Sequence, residues 1–252
     1  MWFGIGLLTW AMAGEPRVAP PVLTTLSEGV EVDWTQSLIR VRTSVAGEGI
    51  SPRQLLKVEQ QASMSAEETM AYWAGKVPLG RNRMLGDVRT DIAEVLPGEV
   101  RVASTRYDLD SGSVVVELVV DLVTLAGPWL RATAETMPIQ TEEVGASGVV
   151  LDARGLDIRP SLAPQIVDAE GTVIWGGQVW SNLQKAVPPV RWATDPTDHA
   201  VRVAGNVPEL FIVAGATDTT LVLSAEDARR FRRAMDGRAP LGSGAVAIVV
   251  DP

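Results

Sequence analysis

Two small α+β domains, each a mainly antiparallel sheet with helices packed on one face, are what this 252-residue sequence predicts. Three observations carry that expectation. Apolar and polar residues alternate from Val30 to Thr43 and again in the long apolar stretches between Val100 and Val123, the period of strands with one buried face. Between these hairpins the apolar spacing becomes three and four from Ser51 to Trp73, the period of an amphipathic helix. After a stretch holding Gly, Pro and acids, short apolar runs resume from Val149 to Val250, and 46% hydrophobic content is enough for a core in each half.

The chain opens with an apolar run, Trp2 to Met12, and Ala11-Met12-Ala13 suits cleavage before Gly14, so residues 1–13 are expected to be a signal peptide. No Lys or Arg precedes the run, which departs from the usual basic start. Residues 14–28, with Pro16, Pro20 and Pro21, read as an extended tether. The first domain is expected over 29–125. Val30, Val32 and Trp34 form one strand, Thr35-Gln36-Ser37 turns, and Leu38 to Thr43 returns. Ser51 as N-cap and Pro52 at the first helical position start a helix running to Trp73. Its apolar stripe is Leu55, Val58, Ala62, Ala66, Met70 and Trp73, with Gln54, Lys57, Gln60, Glu67 and Glu68 off it; such a stripe is core, not a cofactor box. A short helix is expected from Asp87 to Leu96, stopped by Pro97-Gly98. Val100–Tyr107 and Ser113–Val123 then pair around the turn Asp108–Gly112.

Gly127-Pro128 opens a stretch in which hydrophobic patterning lapses, so residues 126–147 are expected to be a linker and 148–252 the second domain. The best-specified part of the chain is Gly148–Trp175. Val149–Leu151 is a short buried strand ending at Asp152, and Arg154-Gly155 turns the chain. Pro160 and Pro164 fix an ordered, non-helical loop; Gln165–Val167 and Thr172–Trp175 pair across Asp168–Gly171. Further strands are expected at Val201–Ala204, Leu210–Val213, Thr219–Leu223 and, as a central strand, Val246–Val250. Ser224 and Asp227 cap a helix whose Ala228, Phe231 and Met235 face inward.

The spacing Asp152-x-Arg154 and Asp157-x-Arg159 puts each pair on one face of an extended backbone and favours local ion pairing. We read Asp152, Arg154, Gly155, Pro160 and Pro164 as a structural motif bracing a loop, rather than as an acid/base site, because a carboxylate beside an arginine more often serves structure. Trp175, Trp180 and Trp192 form a candidate platform for glycan or peptide, weighed against the commoner role of buried anchors. Arg229, Arg230 and Arg233, with Arg232 beside them, give the Ser224 helix a basic face suited to an acidic partner or anionic headgroups, or simply to solvent.

Several classes lack their residues. Net charge is −9, with 14 acids and 10 bases over 29–125 and 12 and 10 over 146–252, so neither half is a basic module and nucleic acid is not an expected partner. There is no cysteine and one histidine, His199, which leaves zinc ligation to carboxylates. The sequence has no Gly-x-Ser-x-Gly, Gly-Lys-Ser/Thr phosphate loop, or Gly-x-Gly-x-x-Gly opening a helix. No cofactor, metal or catalytic residue is therefore assigned. A carboxylate-based glycosidase survives as the alternative, since 31 acids can supply a pair. Beyond the N-terminal run no apolar stretch approaches the length of a transmembrane helix.

The run from Val149 to Gly176 resembles a segment of bacterial secreted and envelope proteins related to the twenty-kilodalton membrane-associated lipoprotein family and to flagellar assembly protein T. The resemblance lies in Asp152, Ala153, Arg154, Gly155, Leu156, Pro160, Ala163, Pro164, Asp168 and Gly171, and in a closing strand that ends at Asp251. In the first half it extends, more loosely, to the long helix and to the hairpin turn Asp110-Ser111-Gly112. The absence of cysteine departs from the lipoprotein relatives. The resemblance implies a periplasmic or secreted protein, associated with the outer membrane or with flagellar assembly, that docks to other envelope proteins. It supplies no catalytic residues. A cell-wall glycan-binding module is the rival expectation.

Overall fold

The computed structural model describes residues 19–47, 50–80, 82–132, 148–176, 190–198, 201, 208–235 and 246–252. The expected signal peptide, Trp180, His199, residues 202–204, residues 133–147 of the expected linker, and the side chain of Met235 lie outside the described structure.

The N-terminal half is built on a five-stranded antiparallel sheet of β1 (Leu23–Ser27), β2 (Val30–Asp33), β3 (Leu38–Ala46), β6 (Arg101–Asp108) and β7 (Ser113–Asp121), in the order β1-β2-β3-β7-β6. Alternation decides its faces. Ile39 and Val41 on β3, and Val114, Val116, Leu118 and Val120 on β7, are all buried, whereas Arg42 faces Glu117 across the other side at 3.0 Å. Helix α1 (Pro52–Ala74) covers the apolar face over β3 and β7. It starts at Ser51, whose side chain accepts from the Gln54 N–H while the Gln54 side chain accepts from the Ser51 N–H. Leu55, Val58, Ala62, Ala66, Met70 and Ala74 are its buried stripe; Trp73 is half-buried against the same core. Each fully buried Leu, Val or Met side chain contributes about 1.5–3 kcal/mol, so this stripe outweighs any propensity term.

Three elements differ from the sequence reading here. Leu23–Ser27, expected in the tether, is a strand paired antiparallel with β2, and the Trp34 indole N–H reaches back to Thr24 Oγ1 at 2.9 Å. After the small ladder of β4 (Pro78–Gly80) and β5 (Arg83–Met84), a 3₁₀ turn at Leu85–Asp87 precedes helix α2 (Ile92–Glu99), which begins later than expected and runs through Pro97-Gly98. Proline costs a helix its donor and crowds the carbonyl four residues back; burial of Ile92 and Leu96 overrides it. Helix α3 (Leu122–Ala132) takes up residues 126–132 of the expected linker. Asp121 caps it by accepting from the Val123 and Thr124 N–H groups at 2.8 and 2.9 Å, and the buried Arg89 side chain donates to the Leu125 carbonyl.

The C-terminal half holds two four-stranded sheets. β8 (Val149–Asp152), β11 (Val190–Ala193), β12 (Glu209–Ile212) and β15 (Val246–Val249) run parallel in the order β11-β15-β8-β12. This corrects the antiparallel expectation for that half, although the α+β class holds and most strand pairs in the described structure are antiparallel. Strands buried on both faces read as continuous apolar runs and pair well in parallel, and every residue of β15 is buried. The second sheet, β10-β9-β14-β13, contains the expected hairpin of β9 (Gln165–Val167) and β10 (Val173–Trp175), with β14 (Thr220–Val222) parallel to β9 and β13 (Gly215–Thr217) antiparallel to β14. Helix α4 (Ala225–Met235) starts at Ser224, whose Oγ accepts from the Asp227 N–H at 3.0 Å, and buries Ala228 and Phe231. Val201 is helical, not extended, and buried.

The two halves meet. The Ala163 and Leu162 N–H groups donate to the Leu79 and Pro78 carbonyls at 2.6 and 3.1 Å, Thr194 Oγ1 donates to the Pro20 carbonyl at 2.6 Å, and one apolar cluster extends from Val22 to Val250.

Candidate functional site

The motif singled out in the sequence sits at the carboxyl ends of the parallel strands, the side of an open α/β sheet where ligands usually bind. Asp152 ends β8. Arg154 grips it with two side-chain bonds, Nε to Oδ1 at 2.8 Å and a terminal nitrogen to Oδ2 at 2.5 Å, and its N–H adds a third at 3.2 Å. The neighbouring strand ends carry Asp195, just past β11, and Asp251, just past β15. Asp251 Oδ2 accepts the Gly155 N–H at 2.7 Å, tying the start of the loop to the end of the last strand. Asp195 accepts the N–H and hydroxyl of Thr197, both at 2.7 Å. The Arg154 guanidinium, foremost by its hydrogen bonds, holds the Asp152 carboxyl below the ordinary carboxylate range; Thr197 does the same for Asp195. Carboxylates kept ionised and fully engaged brace a loop and do not donate protons near neutral pH.

The second pair expected from the sequence does not form as written. Arg159 faces Asp218 at 3.7 Å, and its N–H donates to the Asp218 carbonyl at 2.8 Å, so the loop is stitched to the β13–β14 turn instead of to Asp157. Pro164 is buried and Pro160 half-buried, in an ordered loop without helix, as the two prolines require. Ser161, Leu162 and Ala163 are buried between them, and the Trp192 indole N–H donates to the Ser161 carbonyl at 3.0 Å.

Burial also takes Trp192 and Trp175 out of the expected tryptophan platform, whose third member, Trp180, lies outside the described residues. Trp192 is 1% exposed and Trp175 3%. A stacking surface needs open ring faces, and these rings spend theirs on the core. The basic face of α4 is largely spoken for as well. Arg230 lies over the Phe211 ring, 5.0 Å from its centroid, and bridges Glu209 and Asp227 at 2.8 Å each; Arg229 donates to the Ala225 carbonyl; Arg232 pairs with buried Asp168 at 2.6 Å. Arg233 is exposed.

A different surface was not singled out in the sequence. An open groove of about 530 Å³ lies between the first turns of α1 and the tip of the β6–β7 hairpin, lined by Pro52, Leu55, Leu56, Glu59, Tyr107 and Leu109. The Tyr107 hydroxyl donates to Glu59 Oε2 at 2.9 Å, linking the two walls, an interaction that raises the phenol's pKa. Leu56 (55% exposed) and Leu109 (60%) present apolar side chains to solvent, and Val102 on neighbouring β6 is 62% exposed. The signal available in the sequence was Leu56, an apolar residue one place off the helical stripe. Beside the groove, β6 is an edge strand whose outer backbone groups have no strand partner among the described residues. Among those residues there is also no cluster of three or more His, Cys, Asp or Glu with the geometry of a metal site.

Residues 148–252 match the family model of the second domain of Treponema pallidum Tp0624. The matched segment contains both C-terminal sheets, the braced loop and α4. No curated protein matches the sequence. The N-terminal sheet with its groove lies outside the matched residues. In the described structure no helix is long and apolar enough to cross a membrane.

Proposed function

We propose that the protein is a non-catalytic, secreted component of the bacterial envelope that acts by docking to other proteins, in the setting of flagellar or surface-structure assembly. One observation carries the reading: an open apolar groove beside a strand edge with no strand partner among the described residues of the N-terminal half, with Leu56, Val102, Tyr107 and Leu109 all turned to solvent. Exposed apolar side chains in a groove and along a sheet edge suit a surface for another polypeptide. The braced strand ends support the same reading, because their carboxylates hold the loop together. The kinship to the lipoprotein family and to flagellar assembly protein T, and the periplasmic or secreted location, belong to this proposal.

A photocrosslinking residue at Leu109, expressed in the native host, tests it: a discrete protein adduct in the envelope fraction, lost when Leu56→Asp is added, is expected. An unchanged adduct with Leu56→Asp would refute docking through the groove. Co-sedimentation with peptidoglycan together with turbidity clearance would replace the reading with a cell-wall hydrolase.

A further inference from the structure

We propose that the outer edge of β6, which has no strand partner among the described residues, pairs antiparallel with β6 of a second copy, joining two five-stranded sheets into one across a two-fold axis at Thr105. This deepens the docking reading by naming the partner of that edge, and it rests on that reading only in taking the edge and groove as an interaction surface.

The argument comes from the faces of β6. Its register with β7 shifts between Val102 and Ser104, so Ala103 is an extra residue. Opposite β7, Val102, Thr105 and Tyr107 pair with Leu118, Val116 and Val114, all buried on the helix-covered face; Arg101, Ser104, Arg106 and Asp108 therefore project from the other face. A strand can pair with its own antiparallel copy only if facing residues lie on the same side of the sheet. With the axis at Thr105 and Ala103 left out on each strand, β6 meets that condition along its whole length. Thr105 faces its copy, Ser104 faces Arg106, Val102 faces Tyr107 and Arg101 faces Asp108.

The chemistry of those pairs is complementary. Val102 and Tyr107 are an aliphatic–aromatic pair on the groove side, and Arg101 with Asp108 is an opposite-charge pair at each end. Bulges and charged residues normally guard an edge against a second strand. Here the bulge recurs in register on both strands, and the charges attract. The pairing also extends the apolar side chains of one groove toward those of the other, since Val102 and Tyr107 lie on the α1 side of the sheet.

The native chain has no cysteine, so Thr105→Cys introduces a single thiol on the proposed axis. Directly facing strand residues have Cβ atoms about 4.5–5.5 Å apart, within reach of a disulfide after small adjustment. Purified protein is expected to sediment as a dimer at high protein concentration, and Thr105→Cys to form a covalent dimer on mild oxidation. Thr25→Cys, on β1 at the opposite edge of the same sheet, is expected to stay uncrosslinked. Thr105→Lys should give a folded monomer with unchanged far-UV circular dichroism and a melting temperature that no longer depends on protein concentration. A monomeric native protein, equal crosslinking from Thr25→Cys, or a Thr105→Lys variant that is folded and still dimeric would each overturn the inference. A monomer whose Leu109 crosslinks to a different envelope protein would overturn self-pairing while leaving the docking reading intact.

Discussion

Gly80→Ala should destabilise the protein far more than a glycine-to-alanine change at another left-handed position. Gly80 ends β4 with φ +124°, and an added Cβ would stand 2.1 Å from the Ala163 carbonyl oxygen. That approach exists because the Ala163 and Leu162 N–H groups donate to the Leu79 and Pro78 carbonyls, the seam between the two halves. Holding a non-glycine residue in such a conformation costs about 1–3 kcal/mol. Pushing the loop away adds roughly 1 kcal/mol for each of the two hydrogen bonds, for a total of about 3–5 kcal/mol. Gly155 is the control: φ is +78°, but nothing lies within 4 Å of the position its added Cβ would take, so Gly155→Ala should cost only about 1–2 kcal/mol. Urea unfolding reads the difference; at a slope of about 2–3 kcal/mol/M the Gly80 variant should lose more than about 1 M in midpoint. A Gly80→Ala loss no larger than that of Gly155→Ala would show that the seam is not closely packed, and the account of how the halves meet would fail.

Arg154→Ala is expected to destabilise, with Asp152→Ala adding little in its presence, as for a mutual brace; a double-mutant cycle in urea measures the coupling, and full additivity would refute the pairing. Because Arg154 depresses the Asp152 pKa, the pair's contribution is fully present above the unfolded carboxylate value, about 4, and is lost as pH falls through the lower folded value. Acid titration of stability should therefore show a shallower loss below that value in Arg154→Ala than in the native protein. Trp192→Phe should cost about 1–3 kcal/mol by leaving the buried Ser161 carbonyl short of its donor, measured by the same unfolding experiment; an unchanged midpoint would mean that the indole does not pin the loop.

The parts of the fold visible in the sequence are those in which local pattern and tertiary environment agree. Ser51-Pro52 and the stripe from Leu55 to Met70 specify α1 because cap, propensity and burial all coincide. Asp152-x-Arg154 is legible because both partners lie within three residues. Leu23–Ser27 is different. As an edge strand with little burial it carries no alternating signal, and its pairing with β2 is visible only in three dimensions. Arg159 finds Asp218 rather than Asp157 for the same reason: a nearby charge competes with one the fold delivers from 59 residues away. The groove was missed because its walls come from Leu56 on a helix and Tyr107 and Leu109 on a hairpin, each an ordinary exposed residue in its own segment.

Strand direction in the C-terminal half follows from the same limit, and it bears on function. Val149–Leu151 and Val246–Val249 are apolar without alternation, which fixes burial on both faces but not the partner. Their parallel pairing places Asp152 and Asp251 at the same end of adjacent central strands. Two carboxylates there would repel, or bind a cation, if left free. Instead one takes the Arg154 guanidinium and the other the Gly155 N–H, consecutive groups of a single turn. The turn thus pairs one strand-end charge, hydrogen-bonds the other, and launches the loop whose Leu162 and Ala163 reach β4. A brace that joins β8, β15 and the N-terminal half has its charges engaged in holding geometry, which is why we place recognition on the apolar groove and outer edge of β6 rather than on the most conspicuous charged motif in the sequence.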